Sequence, residues 1–532
     1  MPTFAKQKFI VISLAAVYFI CLSFFSILNH RGLRTQMNDL GNADQAIWQA
    51  SGGHLSMPVS NDEFSVPVSR FYRHANFIFW FIAPLYWCWP NPEILLVLTS
   101  LACALTGLGL FAIAHQRFKN SWWSLAFPVI FWLSPMVHDA NLFDFHTVTI
   151  VSALLVWMIW AFDTNRNKTG WCLLFFALLC QEDVSLMIFM YGIYLILSGK
   201  RKLAVAIMLV SLLYPVILLK ILIPFFNHGG GMYMYGSQDR YRWLGENTNN
   251  IFSYAGEILN HLTRPDRLRI PLYFLVSGAL AGLDAWPILL MLLPPMLEGM
   301  LTTYTKSFES RITGSYYWIC PEVFILLSCI FSSEHYLKNS SVKCPWPIIY
   351  LFLITLLLSI LLTPLPYGLF ADWKNYALPN QRGTLEEMVR LIPPSAPVLV
   401  QNNLGAHLAH RSMIAVYPWH KTDANFALFY SRYVSGVETD LTTKTCGFLC
   451  DPPPPMMVKK LLDWRDWGLI AYKDGFYLFG RGFPYRNGQE ILKAINADSS
   501  IFDHDKNAGS HFYPWVQYLN GVLGWDQLLK NQ

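Results

Sequence analysis

Charged side chains are scarce in this chain. Asp, Glu, Lys and Arg make up 14% of its 532 residues, where a soluble domain carries about a quarter. That shortage, with 54% hydrophobic residues and a mean hydropathy of +0.33, excludes an ordinary soluble protein and predicts a polytopic α-helical membrane protein. A basic stripe is missing too. The net charge of +5 is spread through loops, so nucleic acid is not expected as a partner. No small-residue cleavage site follows the first apolar run, which gives way to Asn29, His30 and Arg31, so a cleaved signal peptide is not expected. A glycine-rich phosphate loop is lacking, which argues against nucleotide binding by the tail. Nor is there an internal repeat.

What the chain does have is apolar runs. Eleven spans, about 20 residues each or shorter where polar residues interrupt, fall near 9–28, 94–114, 123–136, 148–162, 171–180, 184–197, 203–226, 271–283, 286–300, 316–331 and 348–364. Lys6 and Lys8, Arg117 and Lys119, Arg166 and Lys168, Lys200 to Lys202, and Lys338 with Lys343 fall on one side of these spans. The short loops 139–146 and 181–183 on the other side have no Lys or Arg. By the positive-inside rule the amino terminus is cytoplasmic. The large first outer loop 29–74, the outer loop 227–269 and the tail then lie outside.

Two domains follow: a transmembrane domain over 1–366 and an extracytoplasmic domain over 367–532. In the tail, apolar bursts at 398–400, 413–417, 469–472 and 476–479 read as strands, interleaved with helical patterns at 385–391, 404–410, 459–464 and 490–495. Strand–helix alternation predicts an α/β layer. Eight of the ten cysteines sit in or beside spans as apolar packing residues. Cys446 and Cys450, four residues apart in the outer tail, are expected to form a disulfide.

Polar chemistry concentrates in the outer loops. In DLGNADQAIWQ, Asp39 and Asp44 lie just after the first span. Asn42 is placed to cap a helix with Gln45 three positions on, which puts Asp44 in the first turn beside Trp48. A capped amphipathic helix resting on the membrane explains the same spacing. The second cluster, HDANLFDFH, holds His138, Asp139, Asp144 and His146. Carboxylate and imidazole there suit a divalent metal (Mg or Mn) or a proton relay, with Asp144 and His146 as the candidate ligands; an exposed turn uses the same residue types. The third, Gln181-Glu182-Asp183, breaks an apolar run, and two acids there also simply mark the water boundary. His74 precedes an apolar stretch suited to the membrane interface. Arg240 and Arg242, with Arg264, Arg267 and Arg269 beyond, are candidates for holding a lipid phosphate or for attracting anionic head groups. Topology places the three acidic clusters on one outer face.

The order DLGNADQAIW, RHANFIFWFIAPLY, LFDFHT, QEDVSL resembles a domain-of-unknown-function family of predicted bacterial membrane proteins, over roughly residues 25–420. Two positions depart from its pattern: Gln181 stands where a basic residue is usual, and Thr147 where Pro follows D-F-H. That family is similar in layout to the GT-C-fold glycosyltransferases, such as the protein O-mannosyltransferases and the aminoarabinose transferases of lipid A. This second resemblance implies a cell-envelope enzyme of the bacterial plasma membrane with a polyprenyl-phosphate sugar donor and membrane lipids as partners. It sets Asp44-Gln45 where those enzymes carry an Asp-Glu motif, with Gln45 in place of Glu.

The expected activity is inverting glycosyl transfer to an extracytoplasmic acceptor. Asp44 would take the acceptor's proton, with Asp39 the second candidate carboxylate. Gln45, His74, Asp144, His146, Glu182, Asp183, Arg240 and Arg242 would bind substrate. A transporter or lipid flippase is the alternative, although such proteins place ionisable residues at mid-bilayer and these spans have little charge. An assembly protein acting through its tail is a third reading.

Overall fold

The structure, a computed structural model, describes residues 2–60, 66–118, 122–231, 251–302, 316–339, 345–369, 371, 376, 382–416, 424–430 and 466–483. Five helical runs are long and apolar enough to cross a membrane: Phe4–Arg31, Glu93–Arg117, Arg201–Phe226, Ala279–Leu301 and Tyr316–Glu334. Four apolar helices are shorter, Trp122–Leu133, Thr147–Asp163, Val184–Leu197 and Trp346–Leu362. The run at 171–180 is also helical, within Asn167–Leu178. The break expected near Asp284 falls elsewhere. Helix Pro265–Ser277 stops at Gly278, whose φ of 149° only glycine adopts readily, and the chain then coils on through Asp284. Asp284, itself exposed, accepts a hydrogen bond from Ser332 Oγ at 3.2 Å along this continuous run instead of marking a turn between two spans.

The chain divides into two compact units. One comprises Met1–Phe24, Arg70–Phe81 and Leu96–Leu369; the other comprises Phe25–Ser69, Ile82–Leu95 and Phe370–Gln532. The first is helical, and small residues let its helices approach. A Cβ at Gly107 would stand 2.4 Å from Trp132, and one at Gly170 2.6 Å from Phe162. Charge gathers at helix ends. Arg117 donates to Asp163 at 2.5 Å and Glu334 at 2.8 Å over the ring of Phe331, and Lys200 reaches Asp163 at 3.3 Å. Arg117 and Lys200, which hydropathy places on one side of the bilayer, therefore meet on one carboxylate.

The second unit is built on a five-stranded mixed sheet. Its strands are β1 (Val398–Val400), β2 (Ile414–Val416), β3 (Phe426–Tyr430), β4 (Trp467–Lys473) and β5 (Phe476–Arg481), in the spatial order β2-β1-β3-β5-β4. β1 pairs parallel with β2 and β3, while β5 pairs antiparallel with β3 and β4. Strand β3 was not anticipated. FALFY is a short continuous apolar run, because both faces of the sheet are covered and no alternation marks it. Val398 and Val400 face one apolar cluster, and Leu399 faces another. The first cluster also holds Leu385, Met388 and Ile392, and Leu33 and Met37 from the first loop. Burying an aliphatic side chain is worth about 1.5–3 kcal/mol, so Leu33 and Met37 tie that loop firmly to the sheet. The helical pattern expected at 404–410 is realised only as Asn402–Gly405, followed by turns.

Candidate functional site

After Arg31 the chain turns, forms one π-helical turn at Met37–Gly41, and runs directly into helix Asn42–Ser51. Gly41 is already helical, with φ −62° and ψ −38°, and its N–H bonds Gln36 O at 3.0 Å. Asn42 therefore does not cap the helix, and the expected capping box does not form. Asn42 Nδ2 instead donates to Ser60 O at 3.4 Å. Gln45, fully buried, donates through Nε2 to Arg411 O at 2.7 Å and Ser60 Oγ at 3.1 Å, and accepts from Ser60 N at 2.8 Å. Ser60 Oγ also accepts from Ile414 N at 2.8 Å, at the start of β2. One amide thus pins the first loop to the sheet.

Asp44 is only 1% exposed. Its Oδ1 accepts from the Tyr86 hydroxyl at 2.5 Å and pairs with His410 Nε2 at 3.0 Å. Tyr86 comes from the 3₁₀ turn Ala83–Trp87. Burial pushes its hydroxyl well above its ordinary pKa and the Asp44 carboxylate adds to this, so Tyr86 stays a proton donor. The His410 ring stacks on Trp48, centroids 5.5 Å apart and planes 9° from parallel.

These groups border a cavity of about 650 Å³ lined by Asp44, His407, His410, Arg411, Arg31 and Glu93 among others. Arg31 forks onto Glu93 with bonds of 2.6 and 2.9 Å. Arg411 differs. It is 6% exposed and donates to Pro393 O at 2.6 Å, and no carboxylate pairs with it among the described residues. Burial lowers its pKa. A buried guanidinium without a counter-ion is costly, and an anion in the cavity would relieve that cost.

The other expected site residues are placed as follows. Asp39 is half-buried in the π turn and does not line the cavity. In the first unit, Glu182 clamps the segment after His74. Its Oε1 lies 3.0 Å from His74 Nδ1, and its Oε2 accepts from Ala75 N at 3.1 Å. Burial works to raise the Glu182 pKa, but His74 and the Ala75 amide hold it below the ordinary value. Asp183 is raised well above the carboxylate range, by burial first and then by Glu298 and Glu182. Asn76 Nδ2 donates to Cys180 O at 2.7 Å, and Thr147 Oγ1 reaches Gln181 Oε1 at a long 3.4 Å. The two departures from the family pattern, Thr147 and Gln181, therefore touch each other. Asp144 sits at φ +46° in the turn before helix Thr147–Asp163, and the His146 ring stacks on Tyr316 at 3.4 Å. Among the described residues no group of three or more His, Cys, Asp or Glu is placed to hold a metal. Asp144 and His146 are joined by no third such residue there. Arg240, Arg242, Cys446 and Cys450 lie outside the described residues.

His138 is structural. It is buried, with Nδ1 2.8 Å from Thr363 Oγ1 and Nε2 2.7 Å from Trp132 O. Burial lowers its pKa to about 4, and the hydrogen bond to Trp132 O opposes this only in part. The unfolded chain binds a proton near pH 6.5 that the folded one refuses. Stability conferred by neutral His138 is therefore full above pH 6.5 and lost as pH falls toward 4, by about 3 kcal/mol in all. Thermal unfolding in detergent at pH 7.5 and pH 5 checks this. A His138→Asn variant with the same pH slope as the parent would refute it.

Sequence reading missed Tyr86, His410 and Arg411. Tyr86 is an aromatic in an apolar stretch, while His410 and Arg411 sit in AHLAHRS, which carries no local signature. Only the fold brings His410 to Asp44, 366 positions away.

Helices fit to cross a bilayer, together with a carboxylate–imidazole pair on a cavity wall, define a multi-pass membrane protein with a built polar site. The chain belongs to the family described as "Predicted membrane protein (DUF2079)", whose profile matches residues 29–431. No curated protein matches it. Among solved structures it is similar to ArnT from Cupriavidus metallidurans bound to undecaprenyl phosphate, at 10% identity and a TM-score of 0.47 over 88% of this chain and 97% of that one. It is likewise similar to the apo state of ArnT, with the same identity and score over 89% and 98%.

Proposed function

We propose that the chain is an integral membrane glycosyltransferase that moves a sugar from a polyprenyl-phosphate donor to an extracytoplasmic acceptor, in the orientation with its amino terminus cytoplasmic. One observation carries this reading: a buried carboxylate paired with an imidazole, Asp44 with His410, lines the same cavity as the buried Arg411, which has no carboxylate partner among the described residues. Inverting transfer needs both kinds of group. The acceptor hydroxyl gives its proton to the Asp44–His410 pair as its oxygen bonds to the sugar C1. The bond from C1 to the phosphate oxygen breaks, its electron pair leaves with the polyprenyl phosphate, and fixed positive charge at Arg411 stabilises that anion. The place of Asp44-Gln45 in the motif order supports the same assignment.

Membranes containing the full-length chain, supplied with a panel of undecaprenyl-phosphate-linked hexoses and pentoses, should release undecaprenyl phosphate as a glycosylated product forms. Passage of an intact donor across reconstituted vesicles without any covalent product would favour a flippase and overturn this reading.

A further inference from the structure

We infer that the group taking the acceptor's proton is His410, through Nδ1, and that Asp44 orients it. This rests on the glycosyltransferase reading and names the base within that site. Asp44 is 1% exposed, whereas the His410 side chain is 30% exposed on the cavity wall. Asp44 Oδ1 already accepts the Tyr86 hydroxyl and meets His410 Nε2. A carboxylate only accepts, and the Tyr86 hydroxyl spends its single hydrogen on the same oxygen, so the tautomer that completes the pair carries its hydrogen on Nε2. That leaves the lone pair on Nδ1. No hydrogen bond engages Nδ1 among the described residues.

The ring cannot turn freely. Trp48 lies parallel to it at 5.5 Å and Tyr86 borders it at 5.9 Å. A carboxylate behind the imidazole fixes its tautomer and stabilises the imidazolium that forms. In the step, the acceptor O–H bond breaks and its proton goes to Nδ1. The oxygen's electron pair bonds to C1, and the C1–phosphate oxygen bond breaks with its pair leaving on the phosphate. The imidazolium then returns its proton to water from its exposed side.

His410→Gln separates this from a purely positioning role, because its side-chain amide can still donate to Asp44 but offers no basic nitrogen. In the donor-release assay above, His410→Gln should turn over at least about 100-fold more slowly than the parent with little change in KM. His410→Ala should recover part of its rate in added imidazole, while Asp44→Asn should not. A His410→Gln variant within a few-fold of the parent overturns the assignment and leaves the glycosyltransferase reading standing. A parent that consumes no donor in the panel overturns both.

Discussion

On the glycosyltransferase reading proposed above, Asp44→Asn is expected to lower the rate of sugar transfer by about 10³-fold or more while membrane insertion and folding persist. The substitution keeps the size of a side chain that is 1% exposed, so packing changes little. It removes the charge that would stabilise a protonated His410, and it adds an amide donor. The Tyr86 hydroxyl and His410 Nε2 meet the same Oδ1, so an Asn carbonyl oxygen there still orients the ring, and the loss expected is that of the charge behind the imidazolium. Rates of undecaprenyl phosphate release by parent and variant, with thermal midpoints to verify folding, decide the matter. Full activity in Asp44→Asn would remove this residue from the chemistry.

Gln45→Glu should be severely destabilising, although it would create the Asp-Glu pair that the sequence resemblance leads one to expect. Gln45 is fully buried, and its amide nitrogen is the donor for both Arg411 O and Ser60 Oγ. A glutamate offers two acceptors and no donor, so it would set lone pairs against the Arg411 carbonyl and bury a charge. Each orphaned buried acceptor costs about 1–3 kcal/mol, and the uncompensated charge adds to this. A loss of at least about 3 kcal/mol is expected, read as a lower thermal midpoint and faster proteolysis between residues 45 and 60. A Gln45→Glu protein as stable as the parent would show that this amide does not hold the loop. Gln45 thus joins two distant stretches of chain, the first loop and the segment before β2.

Much of the helical layout was readable from hydropathy, because runs such as Glu93–Arg117 are uniformly apolar and bounded by charge. The break at Gly278 was not, since Asp284 looks like a boundary until Ser332 is seen beside it. In the tail, β1, β2, β4 and β5 followed from short apolar bursts, while β3 was hidden in a run without period. Asp44 stood out by its neighbours in sequence. Its partners did not, because Tyr86 and His410 are supplied by tertiary contact. The acidic clusters also proved unlike one another: Glu182 fastens a backbone segment, and His138 is a neutral packing group with both nitrogens satisfied.

The close seating of Met37 against Gly405 bears on how the protein is made. A Cβ at Gly405 would lie 2.4 Å from Met37, and one at Gly41 would lie 3.1 Å from Ala406. The stretch that holds Asp44 is thus completed by residues synthesised several hundred positions later. During translation the first loop must wait, with Asp44 and Gln45 still hydrated, until most of the helices have been inserted and the ribosome has passed Arg411. Non-local closure of this kind is slow, and chains truncated before residue 411 should carry an open first loop that proteases cut readily.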